Sequence, residues 1–119
     1  MARILVLDDV IDAGILIRKI LQRKGHEVAI FSDEEEAIAH ARTNPVDLAI
    51  LDIKLKKMTG IEVLDELKKS NPDMKAVMLT GYPTVETARQ ALSLGASDYC
   101  VKPISKDELE EKVSEVLGG

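Results

Sequence analysis

The run Ile4-Leu5-Val6-Leu7-Asp8-Asp9 decides how this chain is read: four consecutive aliphatic side chains that stop on two carboxylates. Other runs share the layout. Leu48-Ala49-Ile50-Leu51 stops on Asp52, Ala76-Val77-Met78-Leu79 on Thr80, and Tyr99-Cys100-Val101 on Lys102. Continuous rather than alternating hydrophobicity marks strands covered on both faces, as in parallel sheets flanked by helices. As parallel strands of one sheet, these runs deliver Asp8, Asp9, Asp52, Thr80 and Lys102 to its carboxyl edge, where open α/β sheets bind ligands. Carboxylates there, beside an ammonium and a hydroxyl, suit a divalent cation and a phosphoryl group.

Amphipathic segments alternate with the apolar runs along the whole chain. Strands are expected at Arg3–Leu7, Val28–Phe31, Asp47–Leu51, Lys75–Leu79 and Asp98–Val101. Helices are expected over roughly Asp12–Lys24, from Ser32 to about Arg42, from Thr59 to about Lys69, and over Thr84–Leu94 and Ser105–Leu117. Gly25 and Gly95 sit where helices end, and Asn44-Pro45 and Asn71-Pro72 break two others. Asp12 reads as the N-cap of the first helix. Ser32 with Glu35, and Ser105 with Glu108, have the capping-box spacing. On the first helix, Ala13, Leu16, Ile17 and Ile20 are expected to face the core, with Ile11 and Ile15 opposite. The alternation implies right-handed crossovers and a three-layer α/β domain spanning residues 1–119. Periodicity leaves the strand order open.

Composition sets the outer bounds. The 119 residues are 45% hydrophobic, enough for a real core, but only 3% aromatic, so that core is aliphatic. Aromatic platforms for stacking bases are missing, and a net charge of −5 argues against direct contact with nucleic acid or an anionic membrane. The lone Cys100 has no internal disulfide partner. No run approaches the roughly 20 apolar residues of a membrane span, and the N-terminus lacks a signal-peptide layout. A cytoplasmic protein is expected.

The carboxylates narrow the chemistry. Adjacent residues on a strand point to opposite faces, so Asp8 and Asp9 can share one ion only if the chain turns just after Leu7. Magnesium is typically held by one or two carboxylates plus phosphate oxygens and waters. Zinc is disfavoured, because His26 and His40 lie away from these acids without ligand partners at matching spacing.

At this point the chain resembles the receiver domain of two-component response regulators, over essentially its whole length. The resemblance is carried by Asp8-Asp9, by Asp52 with Gly60 after its loop, by Thr80-Gly81 and by Lys102-Pro103. The tract Leu79-Thr80-Gly81-Tyr82-Pro83-Thr84-Val85-Glu86-Thr87-Ala88 is similar to receivers that regulate enhancer-dependent transcription. The resemblance implies a flavodoxin-like, doubly wound, five-stranded parallel sheet of order 2-1-3-4-5 with five helices. It implies that Asp52 accepts a phosphoryl group from a sensor histidine kinase or a histidine phosphotransfer protein. Asp8, Asp9, Asp52 and the backbone carbonyl of Lys54 would form the site of Mg2+, with Mn2+ as an alternative. Lys102 would contact the phosphoryl, Thr80 and Tyr99 would form the switch, and Lys102-Pro103 would be a cis peptide. An effector domain or partner protein, and dimerisation on phosphorylation, belong to the same expectation. The domain would catalyse its own phosphorylation and dephosphorylation without turning over a metabolite. A magnesium-dependent phosphohydrolase and a phosphorylation-independent interaction module are the competing readings.

The loop after Asp52 departs from the family pattern. It reads Ile53-Lys54-Leu55-Lys56-Lys57-Met58-Thr59-Gly60, with three lysines and no proline. Lys54 is expected near the phosphorylation site, Lys56 and Lys57 in solvent, and Tyr82 as a second gate for the hydrolytic water. Ile11 and Ile15 are read as a docking patch for the partner kinase or phosphotransfer helix.

Overall fold

The aliphatic runs pair as one parallel sheet, and the amphipathic segments close over both of its faces. The structure, a computed structural model, describes Met1–Gly118; Gly119, the last residue of the expected domain, lies outside the described residues. Strands β1 (Arg3–Leu7), β2 (Glu27–Phe31), β3 (Leu48–Leu51), β4 (Lys75–Thr80) and β5 (Asp98–Val101) lie in the order β2-β1-β3-β4-β5. Helices α1 (Ile11–Gln22), α2 (Glu34–Thr43), α3 (Gly60–Ser70), α4 (Val85–Ser93) and α5 (Lys106–Val116) alternate with them. Two aliphatic clusters separate by strand parity. Leu5, Leu7, Ala49, Leu51 and Met78 pack under α2, α3 and α4, while Ile4, Val6, Leu48, Ile50 and Leu79 pack under α1 and α5.

Register carries this order to the site. Leu7 pairs with Leu51, and the Asp52 N–H then donates to the Leu7 carbonyl at 3.0 Å, so Asp8 and Asp52 leave the sheet side by side. Thr80 pairs with Val101, and the Lys102 N–H donates to the Thr80 carbonyl at 2.8 Å. Gly25 and Gly95 end α1 and α4 with φ of 86° and 92°, a conformation that favours glycine. Behind each, the next N–H reaches back across the turn, His26 to Leu21 and Ala96 to Ala91.

Local expectations were corrected in three places. The N-cap of α1 is Val10, without a side-chain bond, and Asp12 lies inside the first turn. The cap of α2 is Asp33, accepting from the Glu36 N–H, rather than Ser32; the shift frees Glu34 to turn inward. The buried stripe of α1 is Gly14, Ile17 and Leu21, so Leu16 is 59% exposed while Ile15 is half-buried. The helix is thus rotated from the expected face, with Gly14, a residue without hydrophobic signal, on its buried side: a Cβ there would stand 3.6 Å from the Ile30 side chain of β2, an ordinary van der Waals distance. The capping boxes at Thr59 and Ser105 form, the latter as expected.

This rotation predicts a contrast between two leucines of α1. Leu21→Ala, at a fully buried position, is expected to lower unfolding free energy in urea by about 2–5 kcal/mol. Leu16→Ala is expected to change it by less than about 0.5 kcal/mol.

Candidate functional site

Three strand ends and their loops converge on one acidic cluster. Asp8 (3% exposed) and Asp52 (7% exposed) are buried and Asp9 is half-buried, and one ligand oxygen from each lies within 4.8 Å of the others. The turn needed after Leu7 is present: Asp8 Oδ1 accepts the Val10 N–H at 2.9 Å, which bends the chain directly past the strand. Asp52 Oδ1 likewise accepts the Ile53 N–H at 2.7 Å. The remaining oxygens of the two buried acids share one cation, with Lys102 Nζ at 2.5 Å from Asp8 Oδ2 and 3.0 Å from Asp52 Oδ2. Burial by itself disfavours the charged form of Lys102, but its bonds to Asp8 and Asp52 outweigh that and hold its pKa above the usual value. Lys102-Pro103 is a cis peptide, as expected.

Three carboxylates against one ammonium leave the cluster short of positive charge. Buried like charges at such separations are costly unless a cation joins them. All the side-chain donors are oxygens, the preference of a hard divalent ion such as magnesium. The residues therefore fit the expected metal.

The other expected site residues lie around this cluster. Thr80 is fully buried at the end of β4, and its hydroxyl accepts the Tyr82 N–H at 3.0 Å. The Lys54 ammonium stands over the Tyr82 ring, 4.3 Å from its centroid, so the loops after β3 and β4 touch through a cation–π contact. Tyr99 is not part of the acidic cluster. Its hydroxyl lies 2.8 Å from Thr87 Oγ1 and accepts the Thr84 N–H at 3.3 Å, which ties β5 to the N-cap of α4. Lys57, expected in solvent, reaches Asp33 at 2.8 Å and Glu35 at 3.8 Å. Ile11 is exposed, but its partner in the expected docking pair, Ile15, is half-buried; the apolar side chains exposed with Ile11 are Val10 and Leu16.

Glu34 was missed in the sequence. It is 2% exposed, and its Oε2 accepts the N–H groups of Lys57 at 2.5 Å and Met58 at 2.9 Å. Within the acidic run Asp33-Glu34-Glu35-Glu36, a favourable charge at a helix N-terminus explains every member equally. Nothing local singles Glu34 out.

Fold and site together define a doubly wound, flavodoxin-like α/β domain with its acidic cluster at the switch point between β1 and β3. The family model for the response regulator receiver domain matches residues 4–114, and the chain belongs to that family: it is a receiver domain of two-component signalling. The transcriptional regulatory protein ZraR of Klebsiella oxytoca is 38% identical over 114 residues, 96% of this chain but 26% of that protein. The chain thus spans about a quarter of the length of this relative. A CheY-like receiver domain protein from Methanospirillum hungatei JF-1 superposes with a TM-score of 0.96 at 36% identity, covering 99% of this chain and 94% of that one. A response regulator from Burkholderia pseudomallei, solved with a phosphorylated aspartic acid, calcium ion and citrate, is 27% identical with a TM-score of 0.89, covering 98% and 66%. Among the described residues, no helix is long and apolar enough to cross a membrane.

Gly60 supplies the sharpest local test. A Cβ there would overlap the Asp52 carbonyl oxygen and lie 2.9 Å from the Ile53 Cα, both backbone atoms that cannot rotate away. Gly60→Ala is expected to cost about 1–3 kcal/mol in thermal or urea unfolding and to displace the Asp52 amide resonance.

Proposed function

We propose that Asp52 is the phosphoacceptor of this receiver domain. The observation that carries the reading is the convergence of Asp8, Asp9 and Asp52 within 4.8 Å, two of them buried and sharing the Lys102 ammonium. A carboxylate oxygen of Asp52 attacks the phosphorus of a phosphohistidine on a sensor histidine kinase or a histidine phosphotransfer protein. The new O–P bond forms as the P–N bond breaks, and its electron pair returns to the imidazole. Asp8, Asp9, Asp52 and the Lys54 carbonyl would hold Mg2+, or Mn2+ in its place, which when bound supplies charge neutralisation for the incoming phosphoryl. Lys102 transfers its hydrogen bonds from the carboxylates to a phosphoryl oxygen, as a compact point charge. The same site hydrolyses its own acyl phosphate, and the domain turns over no external metabolite.

The switch follows from which bonds must be exchanged. For Thr80 to donate to the phosphoryl, its hydroxyl leaves the Tyr82 N–H. For Tyr99 to move toward the space so opened, its hydroxyl leaves Thr87 and Thr84 and loosens the start of α4. The phosphoryl thereby favours one of two arrangements through contacts that only one of them makes. Val85, Leu92 and Val101 expose apolar surface on α4 and β5, which supports an effector contact or phosphorylation-dependent dimerisation on that face. This domain makes no direct contact with nucleic acid, a reading its net charge of −5 supports; any such contact would belong to an effector domain.

The test is intact-mass measurement after incubation with magnesium and a small phosphodonor. The wild type is expected to gain one phosphoryl group and Asp52→Asn none; equal gain in both would remove Asp52 from the role. The Lys54–Tyr82 contact is proposed to restrict water at the mouth of the site. Lys54→Ala is expected to shorten the phosphoryl lifetime about 2- to 5-fold, the kinetic equivalent of ~0.5–1 kcal/mol. An unchanged lifetime together with unchanged magnesium affinity would rule the contact out.

A further inference from the structure

Glu34 is a buried carboxylate with no part in the phosphorylation chemistry, and its partners belong to another segment. The loop from Ile53 to Thr59 is closed at its base by the antiparallel bridge between Lys54 and Thr59 and by the Gly60 N–H donating to the Ile53 carbonyl at 2.8 Å. Its tip is closed by Glu34, whose single oxygen Oε2 takes the Lys57 and Met58 N–H groups. Lys57 adds ion pairs to Asp33 and Glu35, but half its side chain is in solvent, where such pairs contribute little. Hydrogen bonds to a buried, ionised carboxylate are the strong kind, and losing the acceptor removes both from the loop at once. Burial opposes the charge on Glu34, yet N–H groups of Met58, Glu34 itself and Lys57 outweigh it and hold its carboxyl below the usual range.

We infer that Glu34 is a positioning residue for the metal and phosphoryl site, acting through the loop that carries Lys54. The inference rests on the reading of Asp8, Asp9, Asp52 and the Lys54 carbonyl as the magnesium site. This loop has no proline to restrict it. Glu34 replaces that restriction with two charge-assisted bonds at the tip, so the bridge at Lys54 keeps one arrangement instead of several. The Lys54 carbonyl and the Lys54 side chain over Tyr82 both depend on that arrangement. The acid that orders the site thus sits at the start of α2, on an element that contributes no group to the chemistry.

The experiment follows magnesium binding by amide chemical shifts and, in the metal-free protein, hydrogen exchange at the Lys57 and Met58 amides. Removing groups that orient metal ligands typically weakens affinity 10- to 100-fold. Glu34→Ala is expected to weaken magnesium binding about 10-fold and to speed exchange at both amides. Glu34→Asp keeps the charge at the same helix end but draws the oxygens back by one methylene. It is expected to behave like the alanine variant and takes its place if that variant does not fold. Glu34→Gln retains an acceptor at full length but loses the charge, and is expected to bind magnesium with an affinity between those of Glu34→Asp and the wild type. Wild-type affinity in Glu34→Ala or Glu34→Asp despite fast exchange would overturn the inference while leaving the magnesium site intact. So would Glu34→Gln as weak as Glu34→Asp. A wild type that binds no magnesium would instead overturn the reading of the acidic cluster, and this inference with it.

Discussion

Lys102 holds together two buried carboxylates that would otherwise repel. Its ammonium lies 2.5 Å from Asp8 and 3.0 Å from Asp52, with Asp9 close by, so the carboxyl edge of the sheet stores unbalanced negative charge. The sheet below it is aliphatic and closed on both faces. The pairing of Leu7 with Leu51 sets Asp8 beside Asp52 at the strand ends. Close approach of Gly60 to the Asp52 carbonyl removes the remaining slack on the other side. The frame thus holds three carboxylates and one ammonium at close quarters, an all-oxygen ligand set that fits a divalent ion.

Around the frame, two loops divide the work. The loop after β3 is fastened at its base by the Lys54–Thr59 bridge and at its tip by Glu34, so it is the static wall. The loop after β4 is held by bonds that can be exchanged: the Thr80 hydroxyl on the Tyr82 N–H, and the Tyr99 hydroxyl among Thr84 and Thr87. The Lys54–Tyr82 contact joins the two. The bonds that lead from Thr80 toward α4 are between neutral groups, each of modest net strength, whereas those at Glu34 involve a carboxylate.

How much was legible beforehand varied with the range of the interaction that settles each feature. The strands and the acids at their ends were legible because continuous apolar runs and the residues that stop them are local. So was the capping box at Ser105, whose partners are three residues apart. The face of α1 was misread, since Gly14 carries no hydrophobic signal yet lies on the buried side against Ile30 of β2. The cap of α2 slipped by one residue because Ser32 and Asp33 are equally good acceptors; the demand of the distant Lys57 and Met58 amides on Glu34 coincides with the choice of Asp33.

The amino-acid order alone determined that parallel strands would deliver Asp8, Asp9, Asp52, Thr80 and Lys102 to one edge, since hydrophobic continuity and strand polarity are properties of consecutive residues. Tertiary structure alone decided which of these touch. Strand order and register put Asp8 beside Asp52 and brought Lys102, 94 residues further along the chain, between them. It also set Lys54 against Tyr82 and turned Glu34, alone of its acidic run, inward to the loop after β3. Those contacts join residues far apart in sequence, and only the packing of the whole sheet sets the distances on which their electrostatics depend.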